Sequence, residues 1–199
     1  MKKLVFIFIF LLCCFAIQAN ARGIMTMCGA GVPSGCNTLL EQTTGGSNVI
    51  VGWDTTVDRY YATGSFVPTS SGSIKTAYVN MKRSGTPADT MTITALLCPD
   101  NDGAPAADAS CTAMTTVIYP KDLSTEYAAV KYTYATGYAV TASTKYWIKL
   151  RANQVAAQYA IVEYYSTGSQ WVGYSADDST WTSSDTTAHI TITIKDCVE

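Results

Sequence analysis

The chain has 199 residues, 48% of them hydrophobic and only 14% charged, with a formal net charge of −2 and one histidine. That length suits one well-packed domain and is short for two. The slight acidic excess argues against nucleic acid and anionic membrane surfaces, which are bound through clustered Lys and Arg.

Met1-Lys2-Lys3 forms a short basic start, Leu4 to Ile17 an apolar run, and Ala19-Asn20-Ala21 a small-x-small site. Together they read as a cleaved secretory signal peptide over residues 1–21, too short to serve as a membrane span. Removing 21 of 199 residues leaves 178, and the loss of Lys2 and Lys3 leaves 11 basic against 15 acidic residues, a net charge of −4. The expected location is secreted or cell-surface, with the periplasm as a further possibility. Residues 22–48, rich in Gly and Thr, are expected to form an N-terminal arm that does not build the core. Residues 49–199 are expected to form the folded domain.

Strand signals then follow in order. Val49 to Trp53 and Tyr60 to Val67 are candidates, and Ile74 to Lys82 places Ala77, Val79 and Met81 on one face. Met91, Ile93, Ala95 and Leu97 alternate with Thr92, Thr94 and Leu96. Val117 to Tyr119 is short. Val130, Tyr132 and Tyr134 share a face, as do Tyr146, Ile148 and Leu150 opposite Trp147, Lys149 and Arg151. Ile161 to Tyr165, Trp171 to Tyr174 and His189 to Ile194 complete the set. Short strands between turn clusters, with hardly any helical periodicity, predict an all-β, two-sheet antiparallel β-sandwich.

Five cysteines remain after residue 21. Cys98 and Cys111 bracket a polar loop rich in Pro and Gly, and their pairing is expected to contribute ~3 kcal/mol through chain entropy. Of Cys28, Cys36 and Cys197, two can tie the chain ends together while the third stays free or bridges to another molecule. The absence of a CxxC argues against a zinc ribbon. Asp100-Asn101-Asp102-Gly103 offers Asp100 and Asp102 as calcium ligands, but Cys98 and Ala109 stand where an EF-hand carries its first and last ligands, so a plain turn is favoured.

The series Gly64-Ser65-Phe66-Val67-Pro68, Ser73 to Gly85, Asp102-Gly103-Ala104-Pro105 and Val140 to Ile148 resembles the jelly-roll domains called choice-of-anchor in bacterial surface proteins. Ser143 stands where that family usually carries Gly in its "Leu-x-Ala-Gly-x-x-Tyr-Trp" segment. The resemblance covers about residues 60 to 195. It implies an exported β-sandwich beside adhesive or carbohydrate-active modules, and it implies no chemistry.

Catalytic arrangements are weak. His189 lies opposite the isoleucines of its strand, the carboxylates Glu126 and Glu163 have no fixed separation, and Asp177-Asp178 reads as a turn, so no enzyme activity is expected. The aromatic residues carry the better signal. Tyr165, Trp171, Tyr174 and Trp181, with Asp177 between them, suit the apolar face and hydroxyl rim of a sugar, although alternate positions on a strand must face opposite sides. The expected partner is polysaccharide or a cell-surface glycan. The alternative is a structural subunit of an extracellular matrix or filament that self-associates when its arm pairs with a neighbour's sheet edge.

Overall fold

Period-two alternation of apolar residues with Thr, Ser and Tyr runs along most of the chain, and the backbone follows it into strands. The computed structural model describes residues 36–43, 45–53, 58–153 and 158–197. The expected signal segment, residues 22–35 of the expected arm and Cys28 lie outside them. Within the described residues the strands are β1 (Thr38–Gln42), β2 (Ser47–Trp53), β3 (Asp58–Arg59), β4 (Tyr61–Phe66), β5 (Gly72–Arg83), β6 (Ile93–Asn101), β7 (Ala104–Pro105), β8 (Thr112–Ile118), β9 (Ala128–Val140), β10 (Tyr146–Ala152), β11 (Gln158–Ser175), β12 (Thr182–Ile190) and β13 (Ile192–Lys195). Two 3-10 turns, Asp108–Ser110 and Pro120–Asp122, are the helical pieces among them. No described helix is long and apolar enough to cross a membrane.

All thirteen strands belong to one antiparallel hydrogen-bonded network that folds back on itself as a sandwich. One row runs β9-β5-β13-β1, and the other runs β8-β6-β10-β4-β11-β12. Strand β11 links them. Its residues 158–164 pair with β2, and 160–162 also pair with β5; beyond an irregular stretch after Tyr165, Val172 to Ser175 pair with β4. At the opposite corner the Tyr134 hydroxyl of β9 donates to the Thr112 carbonyl of β8 at 2.8 Å, and Tyr138 of β9 meets Tyr146 of β10 edge-on at 6.1 Å. The core between the rows is one cluster, including Ala77, Val79 and Met81 from β5, Tyr132 from β9, Leu97 from β6, and Ile148 and Leu150 from β10. These are the faces that alternation predicts. Gly64 lets the layers close there, because a Cβ at that position would lie 2.6 Å from Cβ of Ile190.

The expectation that the arm stays out of the core is corrected from Cys36 onward. Strand β1 pairs with β13, Leu39 and Leu40 are buried in the core, and Cys36 is disulfide-bonded to Cys197. A register shift between Thr38 and Leu40 marks an irregular pairing, which is how two adjacent leucines both turn inward. A five-residue strand with its apolar residues side by side has no alternation to detect. The surrounding Gly and Thr hid it.

Candidate functional site

Four strands, β6-β10-β4-β11, present a second face away from the main core. Direct register places Trp147 between Cys98 and Ser65, Lys149 between Leu96 and Thr63, and Arg151 between Thr94 and Tyr61. These three residues of β10 point the same way because they are two apart. They pass from a dry environment to a wet one along the strand.

Trp147 is fully buried. Its indole Nε1 donates to Asp100 Oδ1 at 2.7 Å, and its ring meets that of Trp171 edge-on at 5.3 Å, above Leu96, Cys98 and Ala106. The Cys98–Cys111 disulfide forms as expected and holds the covering loop to β6. Trp171 can lie flat over β11 because the neighbouring residue is Gly173, where any Cβ would overlap its ring.

Lys149 has 0% exposure, and its ammonium is enclosed on every side. Nζ donates to the Ala106 carbonyl at 3.0 Å and to Asp178 Oδ1 at 2.5 Å, and it lies 2.7 Å from Asp108 Oδ1. That Asp108 oxygen is buried and makes no aligned hydrogen bond, so Nζ meets it as a bare ion pair. Asp178 Oδ2 accepts the backbone N–H of Asp108 at 2.8 Å. The rings of Tyr61 and Trp181 stand 5.5 and 5.8 Å from Nζ and face each other edge-on at 6.2 Å. A buried ammonium is costly unless paired and hydrogen-bonded, and here both conditions are met. Asp178 reaches the lysine from a left-handed backbone conformation, φ 63°, which Asp tolerates better than most residues.

The Arg151 side chain is 42% exposed and donates through Nη1 to Asp108 Oδ2 at 2.8 Å. Burial opposes ionisation of Asp108, but the hydrogen bonds and charges of Lys149 and Arg151 outweigh it and hold the carboxyl below its usual range. The Tyr61 phenol is pushed up to about 12, first by burial and then by the charges of Asp108 and Asp178. Beyond Arg151 an open cleft of about 370 Å³ is lined by Tyr60, Tyr61, Thr92, Thr94, Arg151, Ala152, Asn153, Ala176 and Asp177. Asn153 is held in place by accepting from Thr92 N at 2.8 Å and donating to the Thr90 carbonyl at 2.7 Å.

The five residues expected to form a sugar platform do not share one surface. Asp177 lines the cleft, and Trp181 packs on Tyr61 at its edge. Trp171 belongs to the Trp147 cluster, while Tyr174 packs against the main core from the opposite face of β11. Tyr165 leans on His189 at 5.3 Å. Asp177 also caps its own turn. It accepts the N–H groups of Ser179 and Thr180, both at 2.9 Å, and the Thr180 bond leads in holding its carboxyl far below the usual range. Asp100, offered as a calcium ligand, accepts Trp147 Nε1 and the Gly103 N–H instead, and Asp102 sits in an exposed turn with φ 52°. Among the described residues, one group of three potential ligands converges, Cys36, Asp196 and Cys197, and its two sulfurs are bonded to each other.

Sequence reasoning passed over Lys149, Arg151, Asp108 and Tyr61. Alternation tells which face a side chain takes but not whether a loop covers that face. The available signal was Trp147, two positions from Lys149, beside a disulfide-closed loop long enough to cover both. No protein-family model matches this chain, and no curated protein matches it.

Proposed function

We propose that the protein is an exported, non-catalytic surface module of the choice-of-anchor type that binds polysaccharide or a cell-surface glycan in the cleft beside Arg151. The observation that carries this reading is the company in that cleft: the tyrosines 60 and 61, the Arg151 guanidinium, the Asp177 carboxylate and the hydroxyls of Thr92 and Thr94. Rings supply flat apolar area for C–H groups, and the polar groups supply donors and acceptors for a hydroxyl rim. Two disulfides favour an oxidising compartment. Ser143, standing where the resembled family carries Gly, has the left-handed φ of 62° that Gly favours. Against assembly through a free arm, residues 38–42 are already paired in the protein's own sheet.

The test is a glycan array followed by affinity electrophoresis of the mature protein in each polysaccharide that binds. Thr94→Trp fills the cleft without touching Lys149, so retention should fall at least tenfold at an unchanged melting temperature. Full retention by Thr94→Trp rejects the cleft as the site. Failure to bind any glycan rejects the function.

A further inference from the structure

Ion pairs between Lys and Asp are ordinary on surfaces, where water solvates both partners and nothing drives them to react. The pair under the Trp181 ring differs in three ways. The Lys149 ammonium has no exposure, and the Asp178 side chain has 12%. Nζ touches Asp178 Oδ1 at 2.5 Å while a second carboxylate, Asp108, touches the same nitrogen at 2.7 Å. The far oxygen of Asp178 meets a backbone donor, Asp108 N–H, at 2.8 Å. A nucleophile, an acyl carbon, a proton carrier and an oxyanion donor are thus assembled around one fully buried ammonium.

We propose that Lys149 and Asp178 condense into an intramolecular isopeptide bond. The first step passes one ammonium proton to Asp178 Oδ1 across the hydrogen bond that already joins them. The amine attacks the Asp178 carboxyl carbon, forming the C–N bond, and negative charge develops on Oδ2, where the Asp108 N–H receives it. Asp108 takes a second proton from nitrogen and delivers it to the departing Oδ1 hydroxyl. The C–Oδ1 bond breaks and one water leaves. Nitrogen has gone from three hydrogens to one, the two protons depart with Oδ1, both charges cancel, and Asp108 ends as it began. No oxidant or co-reactant is needed. Holding the reactants in contact within a fold supplies the effective concentration that the same salt lacks in solution.

The product would join β10 to the turn after β11 across the intervening β4, locking the turn that carries Asp178 and Trp181 against Lys149. Asp108 would keep its Arg151 partner, so the network would not be left with an unpaired buried charge. In this scheme Lys149 and Asp178 are the reacting residues, and Asp108 is the proton carrier.

Intact mass of the mature protein, denatured and fully reduced, decides the matter. The expected mass is lower than the sequence mass by one water, and tryptic mapping should return a branched peptide joining Lys149 to Asp178, with no cleavage after Lys149. Lys149→Arg and Asp178→Ala should each restore the sequence mass, and Asp108→Ala should leave the bond unformed. A wild-type chain at full sequence mass overturns the proposal, whatever the variants do. A lost water that maps to Asp102-Gly103 as a cyclic imide, or to a link between Lys149 and Asp108, overturns it equally.

Discussion

Cys36 and Cys197 are bonded to each other across 161 residues of chain, with their Cα atoms 5.3 Å apart. The bond closes nearly the whole domain into one loop and holds β1 against β13, so it restricts the unfolded chain far more than a local bridge does. Replacing both by Ser should cost about 5 kcal/mol by the loop-entropy relation, read from urea unfolding. A loss under 1 kcal/mol would show that the ends hold together without it. Deleting residues 22–47 should be worse, because it also removes Leu39 and Leu40 from the core.

Beside that bridge, Asn37 and Asp196 form a two-pronged clamp. Asn37 N donates to Asp196 Oδ1 at 2.8 Å, and Asn37 Nδ2 donates to Oδ2 at 2.7 Å. The Asn37 side chain, then its backbone N–H, hold the Asp196 carboxyl below its usual range. A depressed folded-state value means the clamp contributes fully above about pH 4, the unfolded value, and is lost as pH falls through the lower folded one. The difference in melting temperature between wild type and Asn37→Ala should therefore be largest near neutrality and shrink below about pH 4. A constant difference down to pH 2.5 would contradict the assignment.

Much of the sandwich was legible because its strands bury one face. Ala77, Val79 and Met81, or Val130, Tyr132 and Tyr134, announce that face through alternation alone. Two features were illegible for physical reasons. Strand β1 is short and irregular in register, so its adjacent leucines carry no period. The outer face of β10 is covered by loops, and a covered face needs no apolar alternation when a lysine is neutralised by aspartates 41 residues before and 29 residues after it in sequence. The aromatic cluster was visible, but its division between two faces of β11 and a separate turn was not, because pairing irregularities after Tyr165 shift the register.

Gly173 tests how closely Trp171 and β12 approach β11. A methyl group there would overlap both the Trp171 ring and the Thr182 carbonyl, and the carbonyl belongs to a strand backbone that cannot swing aside. Gly173→Ala should cost about 1 to 3 kcal/mol, as overpacking does, and shift the tryptophan emission as Trp171 is displaced from Trp147. Native stability and an unchanged emission maximum would mean that β11 and β12 sit farther apart than described.

The turn at Asp100 separates a metal site from a structural anchor. Its carboxylate accepts the indole N–H of a fully buried tryptophan, and its second oxygen accepts the Gly103 N–H at 3.3 Å. Removing it leaves a buried donor unpaired, at a cost of about 1 to 3 kcal/mol. Asp100→Ala should lower stability by that amount and make the loop between Cys98 and Ser110 more sensitive to proteolysis, while Asp102→Ala, in the exposed part of the turn, should do neither. Because both Asp100 oxygens already accept protein N–H groups, adding a chelator to the wild type should leave its melting temperature unchanged, and adding millimolar calcium should not raise it. A chelator-induced fall in melting temperature that Asp100→Ala and Asp102→Ala both abolish would instead assign these two carboxylates to calcium.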